Sequence, residues 1–282
     1  MKKNLFITLA GMLAFNIVTN AQNIFVSDYS ANTIDEITPG GGQSTFASGL
    51  NNPYGIAFDN AGDLFVADDG TDNIYKYAPG GARSTFVTVP NYPHGLACDQ
   101  AGNLYVANFF EGSITKITPG GVQSTFATGL SGPNQMSFDS GGNLFVADYY
   151  GGDVTRITPG GVKSTIISGL SPAEGVAVDN AGDVFVAERN PADILEIAPG
   201  GAQSTFATGL ANVNGMAFDT AGNLFVGDSG TGIIYEYTPA GVRSTVGTGF
   251  QQPNGLAIQP VPEPSVFGFL AVGVVALVVR RR

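Results

Sequence analysis

Six side chains of unlike chemistry recur at a spacing of forty residues: Tyr54, His94, Asn134, Glu174, Asn214 and Asn254. Each stands directly before the first residue of a β-rich run, at Gly55, Gly95, Gln135, Gly175, Gly215 and Gly255. The position varies most within a unit that otherwise hardly changes, and it holds the only histidine. A carboxylate in a narrow acidic ring is costly unless a cation or a hydrogen-bond donor compensates it. A general base needs a partner in the right geometry, which one histidine does not supply by itself. Asparagine before glycine also caps turns by side-chain-to-backbone bonds, so a binding role and a structural role both stand.

A second periodic set is Asp28, Asp68, Asn108, Asp148, Glu188 and Asp228. Six polar groups at one repeat position point to bonds with loop backbone in every unit. Beside them lie Tyr29, Phe109, Phe110, Tyr149 and Tyr150, with Tyr54 and Tyr92 from the preceding loop. If exposed, such rings form an apolar patch with polar tips, suited to sugar faces or to a protein partner; packing between repeats is the alternative. Lys76, Lys116, Arg156, Glu196 and Glu236 read as a solvated face. Cys98, the single cysteine, replaces Phe58, Phe138, Val178, Phe218 and Ile258 of the other units and reads as a small buried hydrophobe. Phosphate loops, zinc spacings, nucleophile elbows and EF-hand loops do not occur, and DNAGDLF with its copies is too short for calcium.

The elements that position these residues follow from the unit Asn52 to Phe86. Gly55–Phe58 and Leu64–Ala67 are predicted strands, joined by the hairpin loop Asp59-Asn60-Ala61-Gly62. Asn73–Tyr77 is a third strand, Pro79-Gly80 fits a type II turn, and Arg83–Val87 is a fourth strand. Four strands in about forty residues, with no helical periodicity, match a propeller blade. First strands number six and second strands, beginning at Asn23, also number six. The chain enters at a second strand and ends on a first strand at Gly255-Leu256-Ala257-Ile258. The expected fold is therefore all-β: a six-bladed β-propeller of four-stranded blades, its first blade closed by the C-terminal strand.

The motif P-x-G-[ILMV]-A-x-D-x-x-G-[ND]-[LV]-[FY]-V-[AG]-[DNE], with Asn52 to Asp68 as its type copy, resembles NHL repeats and the wider six-bladed family around them. The resemblance spans about Asn23 to Gln259 and is specific for fold. The family includes binding modules, lactonases of the SMP-30/gluconolactonase group and streptogramin lyases. The lactonase resemblance implies metal ligands at the first position described: Glu174, Asn214 and Asn254, joined by Asn134, would offer hard oxygen donors to Ca²⁺ or Mg²⁺. The family's catalytic aspartate has no clear counterpart. Streptogramin lyases use more than one histidine, so that activity is not expected of this chain.

The two ends differ from the repeats. Residues 1–21 carry Lys2 and Lys3, an apolar run from Leu5 to Val18 and the small-residue ending Thr19-Asn20-Ala21, the pattern of a secretory signal peptide. At the other end Pro262-Glu263-Pro264 leads into the apolar run Val266 to Val279 and the terminal Arg280, Arg281 and Arg282. This resembles the PEP-CTERM sorting signal, which implies processing by exosortase-type machinery near the Pro-Glu-Pro motif. As a helix the run covers about 21 Å, short of a hydrocarbon core of about 30 Å, which suits transient rather than permanent membrane anchorage. The expected organisation is a signal peptide (1–21), one propeller domain (22–260) and a sorting segment (261–282). Within 22–260, 22 acidic side chains face seven basic ones, a formal charge of −15. That field argues against nucleic acid and anionic lipid as partners. The favoured reading is a non-catalytic, exported surface or matrix protein that binds a glycan or protein; the alternative is a metal-dependent lactonase.

Overall fold

The computed structural model describes residues 22–260. The signal-peptide and sorting-segment readings, with Pro262, Glu263, Pro264 and the terminal arginines, lie outside them. Among the described residues there is no helix long and apolar enough to cross a membrane.

Twenty-four strands form six four-stranded antiparallel sheets. The innermost strands are Pro53–Phe58, Pro93–Cys98, Pro133–Phe138, Ala173–Val178, Val213–Phe218 and Pro253–Ile258. Blade 1 joins the last of these to Ile24–Asp28, Thr33–Ile37 and Gln43–Ala47. Its closing ladder runs from Ile24 opposite Ile258 to Ser27 opposite Gly255. The Gln259 amide donates to Asn23 O at 2.9 Å and Gln22 Nε2 to Gln259 O at 2.7 Å. All innermost strands run from an upper face, which carries their entry loops, to a lower face that carries the Asp-x-x-Gly hairpins.

Turn chemistry holds the register. Asp59 Oδ1 accepts from the amides of Ala61 and Asp63, both at 2.9 Å, and Asp99, Asp179 and Asp219 repeat the arrangement. The Pro-Gly turn differs from the type II expectation. Gly81 N donates to Ala78 O at 2.7 Å, yet the positive φ falls on Gly81 (80°) and not on Gly80. This is the three-residue hairpin in which a turn is followed by a left-handed glycine bulge. Blade 6 shows why: Ala240 fills the position where type II would demand positive φ, and Gly241 takes the left-handed place.

The second strands are buried along their length, save Glu188 at one end, because blades cover both of their faces. The core lies in the seams between blades. Phe25 meets Phe46 and Phe58 edge-on at 5.1 Å, and Phe185 meets Phe206 and Phe218 at 5.0 Å. Cys98 packs partly buried in the seam between blades 2 and 3. Burial, then the charges of Asp59 and Asp99, push its thiol up to about 12, which leaves it unreactive. The third-strand charges are not a solvated face. All five are half-buried; Lys76 pairs with Asp63 at 2.6 Å over the Phe65 ring, and Lys116 faces Asp99 at 3.8 Å over Tyr105. The long stems of Lys76 and Lys116 lie on the seam aromatics.

Candidate functional site

The six variable positions lie inside the innermost strands, which begin two residues earlier than predicted. In blade 2, Pro53 pairs with Asp68 and Ile56 with Val66, so Tyr54 and Gly55 together oppose Ala67 alone. This bulge re-aims the Tyr54 side chain towards the propeller axis. The following glycine is required by close approach: a Cβ on Gly55 would meet His94 O at 2.2 Å, and one on Gly95 would meet Asn134 O at 2.1 Å. Gln135 is the exception among the six, and its Nε2 reaches Asn254 O on the opposite side of the ring at 3.3 Å. The central channel is thereby bridged just beneath the upper face, leaving a bowl.

Around this bowl the predicted residues touch in series. The Tyr54 ring stacks on His94 (centroids 4.1 Å, 12° between planes), and His94 stacks on Phe109 (4.2 Å, 24°). His94 Nδ1 lies 3.4 Å from Asn134 Oδ1, and Asn134 Nδ2 donates to Glu174 O at 3.0 Å. Across the ring, Asn214 Nδ2 donates to Asn254 Oδ1 at 2.9 Å. Of the three residues that would hold Ca²⁺ or Mg²⁺, Glu174 faces Arg189 at 3.4 Å and the two asparagines bond each other, leaving the buried Asn214 Oδ1 without a partner. A dication fits only once Arg189 releases Glu174 and both amides turn their oxygens inward. Among the described residues no three His, Cys, Asp or Glu side chains converge as a metal cluster.

A second tier lies above, at the residue after each second strand: Tyr29, Asp69, Phe109, Tyr149, Arg189 and Ser229. Sequence reasoning picked out its aromatics and missed Asp69, Arg189 and Ser229. The signal was present, since this too is a forty-residue series of unlike side chains. The residues before them do the structural work expected. Asp28 accepts from the amides of Gln251 (2.7 Å) and Gln252 (2.9 Å), Asp68 from Asn51 (2.6 Å), Asp228 from Ala211 (3.1 Å) and Asn212 (2.9 Å). Asn108, unable to accept in the same way through its amide nitrogen, donates to Ser113 and Thr115 instead.

The aromatics expected beside these residues form one cluster. Phe109, itself buried, contacts Phe110 (5.1 Å), Tyr149 (5.8 Å) and Tyr150 (5.2 Å), while Tyr92 meets Phe110 edge-on at 4.9 Å. Phe110, Tyr150 and Tyr92 are 62%, 63% and 48% exposed. Tyr92 and the preceding Asn91 both have positive φ (62° and 78°). A bulky residue in the left-handed region costs on the order of 1 kcal/mol. The corresponding position in blade 4 is Gly132, which adopts that region freely. Arg189 closes the cluster, bonded to Tyr149 Oη as well as to Glu174.

Two buried carboxyls flank the bowl. Burial pushes Asp69 up to about 7, with the charges of Asp72 and Asp68 adding to it; burial likewise raises Glu174 to about 7 against the opposing pull of Arg189. His94 is lowered to about 4 by burial and is a neutral ring at ordinary pH. A carboxyl whose folded pKa exceeds its unfolded value of about 4 holds a proton the unfolded chain releases. The resulting stability is complete below pH about 4 and is lost as pH rises through about 7. The melting temperature is therefore expected to fall by several degrees between pH 5 and pH 8, and Asp69→Asn to flatten that fall. Differential scanning fluorimetry across this range checks it; a midpoint rising with pH would refute the assignment.

A cavity of about 770 Å³ lies elsewhere, on the lower side of the seam between blades 6 and 1. Val246 and Ile258 line it where the 1/2 and 5/6 seams hold phenylalanine pairs, so smaller side chains leave the space.

Residues 260–282 match the PEP-CTERM protein-sorting motif. No curated protein matches the chain. Among solved structures, virginiamycin B lyase from Staphylococcus aureus superposes with a TM-score of 0.67 at 16% identity, over 86% of this chain and 90% of that one. A chain of the nidogen/laminin complex gives 0.77 at 16%, over 86% and 100%. A protein provisionally described as a gluconolactonase gives 0.65 at 17%, over 74% and 82%. At these identities the likeness is one of fold. The chain is a six-bladed β-propeller similar in architecture to these lyase, lactonase and nidogen-complex structures, and it carries a PEP-CTERM sorting motif at its C-terminus.

Proposed function

We propose that this protein is exported, delivered to the cell surface by its PEP-CTERM segment through exosortase-type machinery, and acts there as a non-catalytic binding module for a glycan. The observation that carries the reading is the cluster of Tyr92, Phe110 and Tyr150, three large rings left open to solvent on one sector of the upper bowl. Contiguous exposed aromatic surface marks a binding site. Rings held at fixed angles by a buried neighbour, Phe109, offer flat faces to sugar C–H groups, and the phenol tips of Tyr92 and Tyr150 offer hydrogen bonds. The asparagines and the Arg189–Glu174 pair on the remaining rim supply polar contacts for hydroxyls.

The test is a glycan array followed by calorimetry with the best ligand. Phe110→Ala and Tyr150→Ala are each expected to weaken binding about tenfold, corresponding to roughly 1.4 kcal/mol, with little change in melting temperature because both rings are largely exposed. An array without hits would overturn the glycan reading in favour of a protein ligand. The lactonase alternative rests on Glu174, Asn214 and Asn254, with the unpartnered Asn214 oxygen as its one favouring observation. It expects millimolar Ca²⁺ or Mg²⁺ to raise the melting temperature and Glu174→Gln to abolish that rise. A cation-independent midpoint would remove it.

A further inference from the structure

Asp69 is the one acidic residue of the second tier, and nothing in the fold accounts for its charge. Its neighbour Asp68 already takes the loop amide of Asn51 and the Thr71 hydroxyl. Asp69 is 6% exposed; its Oδ1 has no hydrogen-bond partner, and its Oδ2 faces His94 Nε2 at 3.8 Å, beyond hydrogen-bonding distance. The other buried carboxylate of the bowl, Glu174, has the Arg189 guanidinium beside it. Among the described residues no lysine or arginine lies within 4 Å of Asp69, so the same burial cost stands without a cation to offset it.

The surroundings of Asp69 are aromatic. Burial raises the phenols of both Tyr29 and Tyr54; the charge of Asp69 and then Tyr92 add to it at Tyr29, and the charges of Glu174 and then Asp69 add to it at Tyr54. Tyr29 and Tyr54 meet edge-on at 6.0 Å, and Tyr54 stacks on His94. A recessed carboxylate among ring faces suits an organic ammonium, which gains an ion pair and cation–π contact together. A hard dication finds no three converging His, Cys, Asp or Glu side chains there among the described residues, too few donors to replace its water. The formal charge of −15 on the domain also concentrates cationic ligands near the face, whereas a neutral sugar gains nothing from it.

Building on the glycan reading, we infer that the bowl selects a sugar bearing a free primary amine, its ammonium seated against Asp69 beside His94 and its ring face on Tyr92 and Phe110 of the same upper face. The test uses the full chain in detergent and two probes with one backbone: the β-1,4-linked glucosamine hexasaccharide and its fully N-acetylated counterpart, titrated calorimetrically at 150 mM salt. The amine form is expected to bind at least tenfold more tightly. Asp69→Asn is expected to erase that difference, with the melting temperature equal or higher. Equal affinity for both probes would overturn the amine inference while the glycan reading stands. Binding of neither would overturn both. A preference that survives Asp69→Asn would come from net charge alone and would overturn the assignment to Asp69.

Discussion

Removal of residues 251–260 is expected to leave a chain with no cooperative thermal transition. The deleted strand supplies blade 1 with its whole innermost edge, pairing from Ile258 with Ile24 to Gly255 with Ser27. Its loss would strip the Asp28 carboxylate of two of its three amide donors, leaving only Ala31, and take buried Leu256 and Ala257 from the core. Each buried aliphatic side chain is worth roughly 1.5–3 kcal/mol, and the unpaired edge of Ile24–Asp28 would be opened to other chains. Inner strands also contact their neighbours on either side, so the missing strand would leave two further faces uncovered. Together these losses consume a large share of the roughly 5–15 kcal/mol by which domains are stable. Circular dichroism of the truncated chain checks the expectation; an unchanged midpoint would show that the remaining five blades hold the ring alone.

Gly95→Ala is expected to cost more than about 4 kcal/mol, at the upper end of what single substitutions do. The new methyl carbon would stand 2.1 Å from the carbonyl oxygen of Asn134, a backbone atom of the next inner strand that cannot turn aside. Relief requires spreading two inner strands, and in a closed ring every other spacing must follow. Gly120→Ala is the control: it has negative φ and only Thr118 Oγ1 at 3.9 Å, and is expected to change stability by less than about 0.5 kcal/mol. Comparable urea midpoints for the two variants would refute the account of why glycine occupies the ring.

Much of this architecture is legible in the residues because turn chemistry is local. Asp59-Asn60-Ala61-Gly62 specifies its hairpin wherever it occurs, and complementary half-blades at the two ends leave one way to close. The inner ring was legible for a related reason: a position that varies inside a constant unit is released from the demands of packing. Backbone detail and the packing of long side chains were harder to read. Tyr54 faces the axis because of a bulge, which strand alternation does not announce. Lys76 and Lys116 lie on seam aromatics rather than in water, since the aliphatic stem of lysine is itself apolar. Asp69 escaped notice because its sequence neighbour Asp68 belongs to a regular series, and only the fold separates the capping carboxylate from the one without a role in the loop.

The closing strand has a further consequence when load is considered. Pro253–Ile258 runs from the bowl at the upper face to the lower face, where the described chain continues through Gln259 and Pro260 towards the sorting segment. A tether at that end and a ligand in the bowl pull in opposite directions along the strand axis. The hydrogen bonds to Ile24–Asp28 lie across that axis, so tension shears the whole ladder at once instead of peeling it bond by bond. The strand that completes the ring is thus also the last described strand before the sorting segment, and it is set in the orientation that resists extraction best.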